Sequence, residues 1–132
     1  MIYTLKTLGA ATVFVLATAN MTAQIPCPVM LVDGKASQDT ITLSFRNKGK
    51  LPLQQLSLAC APSPYKKGAD STCHIENGVF FPGIQYSINL AYPQADKHQI
   101  VISVKEAVTN TGARWTTASP DRCRSLRITH KR

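Results

Sequence analysis

Acidic residues are scarce in this sequence: 7 Asp and Glu stand against 15 Lys and Arg, which gives a formal net charge of +8 at pH 7. Charged residues make up only 17% of the chain and hydrophobic residues 44%, a balance that excludes an intrinsically disordered protein. Seven Gly and eight Pro are ordinary numbers for 132 residues, so a collagen-like or low-complexity chain is excluded as well. The length suits one domain and is too short for two.

Motifs of the common enzyme classes are also absent. The chain has no Gly-x-Ser-x-Gly, no His-Glu-x-x-His and no glycine-rich phosphate loop. Its three histidines are scattered, and a small secreted basic nuclease-type hydrolase built from His74, His98 and Lys97 is an alternative that their spacing does not favour. We therefore expect a protein that is not an enzyme and that uses no cofactor.

The cysteines are not spaced as metal ligands. No Cys-x-x-Cys or His-x-x-x-His occurs, so we expect no metal site. Four cysteines in an exported chain of this size predict two disulfides, with three possible pairings. We prefer Cys60–Cys73, which closes a loop containing Pro and Gly, and Cys27–Cys123, which ties the two ends of the domain together.

The N-terminus has the pattern of an export signal. Lys6 precedes an apolar run over residues 8–17 that falls well short of the roughly 20 residues of a membrane span. Small residues follow at Ala17, Ala19 and Ala23, which are typical of signal peptidase sites. We predict a signal-peptide helix within residues 1–23, cleaved after residue 19 or 23, and a single domain over residues 24–132 in a secreted or periplasmic protein.

Alternation of apolar and polar residues predicts β-strands in the remaining chain. It is clearest at residues 40–46, 84–92 and 98–104, and shorter strands are predicted at 27–33, 71–76, 114–117 and 124–130. The leucines of residues 51–60 fall into two sets that are out of phase, which predicts a β-bulge near Gln54 and Gln55. Trp115 is expected in the core, with an exposed stacking platform for a sugar or base as the alternative.

Turn residues separate these strands. A hairpin turn is predicted at residues 47–50, with Gly49 free to take a positive φ, and further turns at Asp33-Gly34 and Asn77-Gly78. No stretch of the predicted domain carries the helical spacing of apolar residues over three turns. The pattern therefore predicts an all-β protein, an antiparallel sandwich of about seven or eight short strands.

The strand at residues 41–46, its exit through residues 47–50, the Pro82-Gly83 strand entry and the late Trp115 resemble small secreted bacterial immunoglobulin-like or fibronectin-III-like domains. The resemblance covers roughly residues 27–130 and implies an immunoglobulin-like β-sandwich. It departs from antibody-type domains, because no Trp lies between two sandwich cysteines at the expected spacing. No functional residue is therefore carried over from that family.

Positive charge concentrates near the C-terminus and in the loop between Cys60 and Cys73. The anion-binding candidates are Arg122, Arg124, Arg127, Lys131, Arg132, Lys66 and Lys67. A polyanion site for acidic polysaccharide, lipid head groups or nucleic acid is one interpretation, and a solvated basic surface is the other.

The function that these observations favour is an interaction module that docks a protein partner in the envelope or the extracellular space. Polyanion binding through the basic C-terminal tail is the alternative.

Overall fold

Eight β-strands and one short 3-10 helix form the part of the chain that the computed structural model describes, residues 25–62 and 71–128. The strands are β1 (Val29–Ser37), β2 (Thr40–Asn47), β3 (Leu53–Pro62), β4 (Thr72–Phe80), β5 (Gln85–Ala91), β6 (Ile100–Thr109), β7 (Arg114–Thr116) and β8 (Leu126–Ile128). The 3-10 helix, Ala95–Lys97, lies between β5 and β6. The all-β prediction is confirmed, whereas the predicted signal peptide lies outside the described residues. Across the described ranges no helix has the length and apolar character of a membrane span.

The strands form two antiparallel sheets. Sheet A has three strands in the order β1-β2-β5. Sheet B has five: its order is β4-β3-β6, and both β7 and β8 pair with the far edge of β6. Because β2 and β3 belong to different sheets, residues 48–52 cross between the sheets, and the hairpin predicted there is wrong. The first hairpin joins β1 to β2 instead, and Gln38 in its turn has a φ of 39°.

The core lies between the two sheets and consists of the apolar residues that the alternation predicts to face inward. Ile41, Leu43 and Phe45 of β2 are fully buried. In β6 the apolar side chains of 100, 102 and 104 are likewise buried, as predicted. Trp115 is only 2% exposed, and its indole Nε1 donates to the backbone oxygen of Asp121 at 2.7 Å. It is therefore a core residue, and the alternative of an exposed stacking platform is wrong.

Some of the bulges and turns predicted from the sequence are present in the structure, and others are not. β3 shifts register between Leu53 and Gln55 against both of its neighbours, which confirms the predicted bulge. The turns predicted at Asp33-Gly34 and Asn77-Gly78 are wrong, because these pairs lie inside β1 and β4. At Gly34 the glycine is needed for close approach: a Cβ there would lie 2.6 Å from Cδ1 of Ile128 in β8. Gly49 is not among the residues with a positive φ.

Two disulfides hold the sandwich. One joins Cys27, just before β1, to Cys123 in the connection from β7 to β8, and the other joins Cys60 of β3 to Cys73 of β4. Their Cα–Cα distances are 5.3 and 5.6 Å, in the usual range. This is the pairing that the sequence analysis preferred among the three.

Candidate functional site

The anion-binding candidates are only partly covered by the structure. Lys66, Lys67, Lys131 and Arg132 lie outside the described residues. Arg122 and Arg124 flank Cys123 in the connection between β7 and β8, and Arg127 lies in β8 opposite Val101. All three arginine side chains are exposed. Polyanion binding by this set stays a prediction.

The candidate nuclease residues are placed at different edges of the sandwich. His74 lies in β4, where its Nε2 is 2.6 Å from Oε1 of Glu76. His98 follows the 3-10 helix, which contacts β1, and its ring packs edge-on against Tyr92. Nor do any three His, Cys, Asp or Glu residues of the described ranges gather as a metal site.

The strand edges of the two sheets differ in how they are protected against pairing with another chain. β4 shifts register twice against β3, and β1 shifts register between Leu31 and Asp33 and packs against β8. β7 and β8 have three residues each. Bulges, inward-facing charges and short strands are the devices by which natural sheets block unwanted strand addition. Four of the five edge strands carry at least one of them.

The fifth edge strand, β5, carries none of these devices. Its seven residues include no proline and no charged side chain, and it pairs with β2 without any register shift. Within the described ranges no strand pairs with its other side. A long, regular and uncharged edge of this kind is a template for an added strand.

The backbone groups that point outward from β5 follow from its pairing with β2. The Asn47 amide donates to the Ile84 oxygen and the Tyr92 amide to the Asp39 oxygen, so the even-numbered residues of this segment bond to β2. Because hydrogen-bonded and non-hydrogen-bonded pairs alternate in an antiparallel ladder, the odd-numbered residues direct their N–H and C=O groups away from β2. These residues are Gln85, Ser87, Asn89 and Ala91.

Side chains on the outer face of sheet A do not compete for this edge. Ser87 is within 3.1 Å of Ser44, and the Thr42 hydroxyl donates to Oδ1 of Asn89 at 3.0 Å. These polar contacts run across to β2, away from the free edge. The backbone groups of β5 are therefore left accessible to a pairing strand.

Contacts at its beginning fix the position of β5. Asn47 is fully buried, and its Nδ2 donates to the oxygens of Leu51 at 2.9 Å and Phe80 at 2.8 Å. Its Oδ1 accepts from the amide of Gly49 at 2.8 Å, and its backbone oxygen accepts from the amide of Gly83 at 2.7 Å. The side chain thus ties the connection between β2 and β3 to the end of β4, and the backbone oxygen of the same residue bonds the turn that leads into β5.

The inner face of β4 is incompletely covered next to this edge. His74 and Glu76 lie opposite Leu58 and Leu56, which are fully buried, so all four side chains point to the interior. The side chains of His74 and Glu76 are nevertheless 23% and 30% exposed. β4 and β5 are neighbours at this side of the sandwich, whereas β1 and β8 are neighbours at the other. A strand added to β5 would extend sheet A toward the uncovered face of β4.

Large exposed hydrophobic residues collect at the same side. Of the seven in the described ranges, four fall in β4 and the turn between β4 and β5. They are Ile75, Val79, Phe81 and Ile84, which are 49–59% exposed. Ile75 alternates with His74 and Glu76 and so lies on the outer face of sheet B, and exposed apolar residues of this kind are a feature of protein interaction sites.

Comparisons with known proteins add little to this picture. No family model matches the chain, and no curated protein matches it in sequence. Among solved structures it is similar to the β-glucosidase from Kluyveromyces marxianus in complex with glucose, with 14% identity, a TM-score of 0.42 and coverage of 79% of this chain but 14% of that chain. The structural-genomics target SoR45 shares 13% identity at a TM-score of 0.33, over 76% of this chain and 81% of that one. These similarities are too weak to carry an argument about function.

Proposed function

We propose that this protein is an exported, non-catalytic interaction module that binds an extended segment of a protein partner as an additional strand along β5. The observation that carries the proposal is the edge of β5, which is regular, uncharged and free of proline. Strand addition obtains affinity from main-chain hydrogen bonds and specificity from the pockets that receive alternate side chains.

The edge supports a segment of about six or seven residues. Each of the four odd-numbered residues offers one N–H and one C=O group, and each hydrogen bond formed contributes a net of about 0.5–1.5 kcal/mol. Alternate side chains of the bound segment would point toward the interior, beside the His74–Glu76 pair of β4. Side chains at these positions would cover the parts of His74 and Glu76 that sheet A leaves exposed.

The strand order supports the immunoglobulin-like type within this proposal. In immunoglobulin domains strands A, B and E pair in one sheet and C, F and G in the other. β1, β2 and β5 pair in the first way, and β3, β6 and β7 in the second. β4 departs from the constant-domain pattern because it lies beside β3, and the Cys60–Cys73 bridge joins these two strands rather than the two sheets.

Export is supported by the disulfides. Two bridges in a small domain are compatible with an oxidising compartment, where such bonds form and persist. We place the protein in the periplasm or the extracellular space on this ground and on the signal-peptide pattern of the sequence.

Substitution of Ser87 by proline tests the proposed function. Its amide points away from β2, so Ser87→Pro removes an outward donor without breaking a backbone hydrogen bond of sheet A, although it also removes the hydroxyl that contacts Ser44. Ser87→Ala is the matched control, because it removes the hydroxyl and keeps the amide. The probes are seven-residue extended peptides selected from a displayed library on the purified, oxidised protein.

We expect the selected peptides to bind the wild type and Ser87→Ala equally and to bind Ser87→Pro at least tenfold more weakly. Hydrogen exchange should show new protection at the amides of Gln85, Ser87 and Asn89 when a peptide is bound. Equal binding to Ser87→Pro, or protection that spares these amides, would refute strand addition at β5. Failure of the library to yield any binding peptide would also count against it.

A further inference from the structure

A notch opens in sheet B where β7 and β8 separate. β7 pairs with residues 106–108 of β6, and β8 pairs with residues 100–102. Residues 103–105 of β6 therefore have neither strand beside them. A cavity of about 300 Å³ lies at this gap, at the small end of the range of ligand pockets.

Five of the nine residues around the notch are cationic or carry hydroxyl groups, and the other four are Ala59, Val104, Trp115 and Cys123. Lys105 of β6 and Arg122 of the β7–β8 connection line it, together with the hydroxyl residues Ser103, Thr117 and Ser125. No carboxylate is among the lining residues of the described ranges. The neighbouring acid, Glu106, accepts from Arg114 instead.

Both cations are left without an acidic partner inside the described ranges, where neither Lys105 nor Arg122 forms an ion pair. Asp121 precedes Arg122, but its Oδ2 accepts from the amide of Cys27 at 2.7 Å. Two cations held together without a carboxylate create a positive field that favours an anion.

The residues on both sides of Arg122 are fixed in position. Cys123 is bonded to Cys27, and the backbone oxygen of Asp121 accepts from the indole Nε1 of the buried Trp115. In addition, the hydroxyl oxygens of Ser103 in β6 and Ser125 in the same connection lie 3.1 Å apart across the notch. The backbone on which the site is built is therefore held by the core and by a disulfide.

We propose that this notch binds a tetrahedral oxyanion, a phosphate or sulfate group that is either a free ion or an ester. A guanidinium fork and an ammonium group supply charged donors, and the Thr117 hydroxyl and one hydroxyl of the hydrogen-bonded Ser103–Ser125 pair supply neutral ones. Charge-assisted hydrogen bonds to such oxygens are about twice as strong as neutral ones. The notch is separate from β5, so this proposal does not depend on the proposed function.

A titration followed by amide chemical shifts tests the site in the purified, oxidised protein. The probes are inorganic phosphate, inorganic sulfate and a sulfated disaccharide derived from heparin. We expect saturable shifts centred on residues 103, 105, 117, 122 and 125. An ester that binds more than tenfold tighter than either ion would identify the ester as the ligand, and equal affinities would identify the free ion.

Charge-matched variants separate a site from general attraction to a basic protein. Lys105→Gln/Arg122→Gln should weaken binding at least tenfold. Lys35→Gln/Lys97→Gln removes the same charge from exposed positions outside the notch and should change affinity less than twofold. Arg122→Lys should retain part of the affinity.

Three results would overturn the proposal. They are the absence of saturable binding by every probe, shifts spread evenly over the basic surface, and equal losses in the two double variants. If Lys105→Gln/Arg122→Gln does not fold, the map of shifts in the wild type decides.

Discussion

Replacement of Asn47 by alanine gives the sharpest test of how this sandwich is held together. The Asn47 side chain is fully buried and makes three hydrogen bonds to backbone groups, two in the connection between β2 and β3 and one at Phe80, the last residue of β4. Asn47→Ala removes all three at once. The Phe80 oxygen is buried and loses a donor that water cannot replace, whereas the other two contacts are only partly buried.

The expected loss follows from these contacts. At about 1 kcal/mol for each hydrogen bond, the free energy of unfolding should fall by about 3 kcal/mol. For a domain of this size a loss of that order lowers Tm by about 12–24 °C. Asn47→Asp should cost at least as much, because it keeps the acceptor but replaces both donations with a carboxylate facing two carbonyl oxygens.

Urea unfolding of the oxidised protein at neutral pH measures the effect. Asn89→Ala is the control, since Asn89 is exposed and its side chain accepts one hydrogen bond, from Thr42, within the described ranges, so a change within about 1 kcal/mol is expected. The m-values should be unchanged. If Asn47→Ala and Asn89→Ala destabilise the protein equally, the role assigned to Asn47 is wrong.

Two further predictions concern the packing of β8 and the disulfides. Gly34→Ala should cost about 1–3 kcal/mol because its Cβ would meet Cδ1 and Cγ1 of Ile128, and adding Ile128→Val should recover part of that loss; purely additive effects in urea unfolding would contradict the contact. Cys27→Ala/Cys123→Ala should cost about 4–5 kcal/mol because the bridge closes 96 residues of chain, and removing the other bridge should cost about 3; the reverse order in Tm would contradict the chain-entropy argument.

The strands could be predicted where one face of a strand is consistently apolar. Ile41, Leu43 and Phe45 alternate with polar residues, and the structure buries all three. The bulge near Gln54 was predictable for the same reason, because two sets of leucines can reach one core only through an extra residue. Alternation reports which side of a strand is buried, and this information is local.

Local sequence did not show that Asp33-Gly34 and Asn77-Gly78 lie inside strands rather than in turns. Gly34 follows an Asp and resembles a turn, but the residue that explains it, Ile128, is distant in the chain. The prediction of a hairpin at residues 47–50 was wrong because turn residues do not indicate which sheet the next strand joins. Asn47 serves instead as a buried link between the connection from β2 to β3 and the end of β4.

The candidate sites depend on strand order, which the sequence does not report. The alternation predicted β5 as a strand, but its free edge exists only because β2 is its one neighbour in sheet A. Lys105 and Arg122 line one notch because β7 and β8 leave β6 at different points. Arg122 could be recognised from the sequence as an anion-binding candidate. The position of Lys105 in the same cavity could not be predicted.

The Cys27–Cys123 bridge has a mechanical consequence. It lies just before the first strand and near the last, so 96 residues of sequence are spanned by one covalent link. Tension applied at the two cysteines passes from one to the other through the sulfur atoms, so β1 to β7 lie outside that path, whereas β8 follows Cys123 and is not protected by the bridge. While the bridge is oxidised, force applied at the two cysteines cannot pull β1 to β7 apart, and reduction makes the chain between the cysteines extensible.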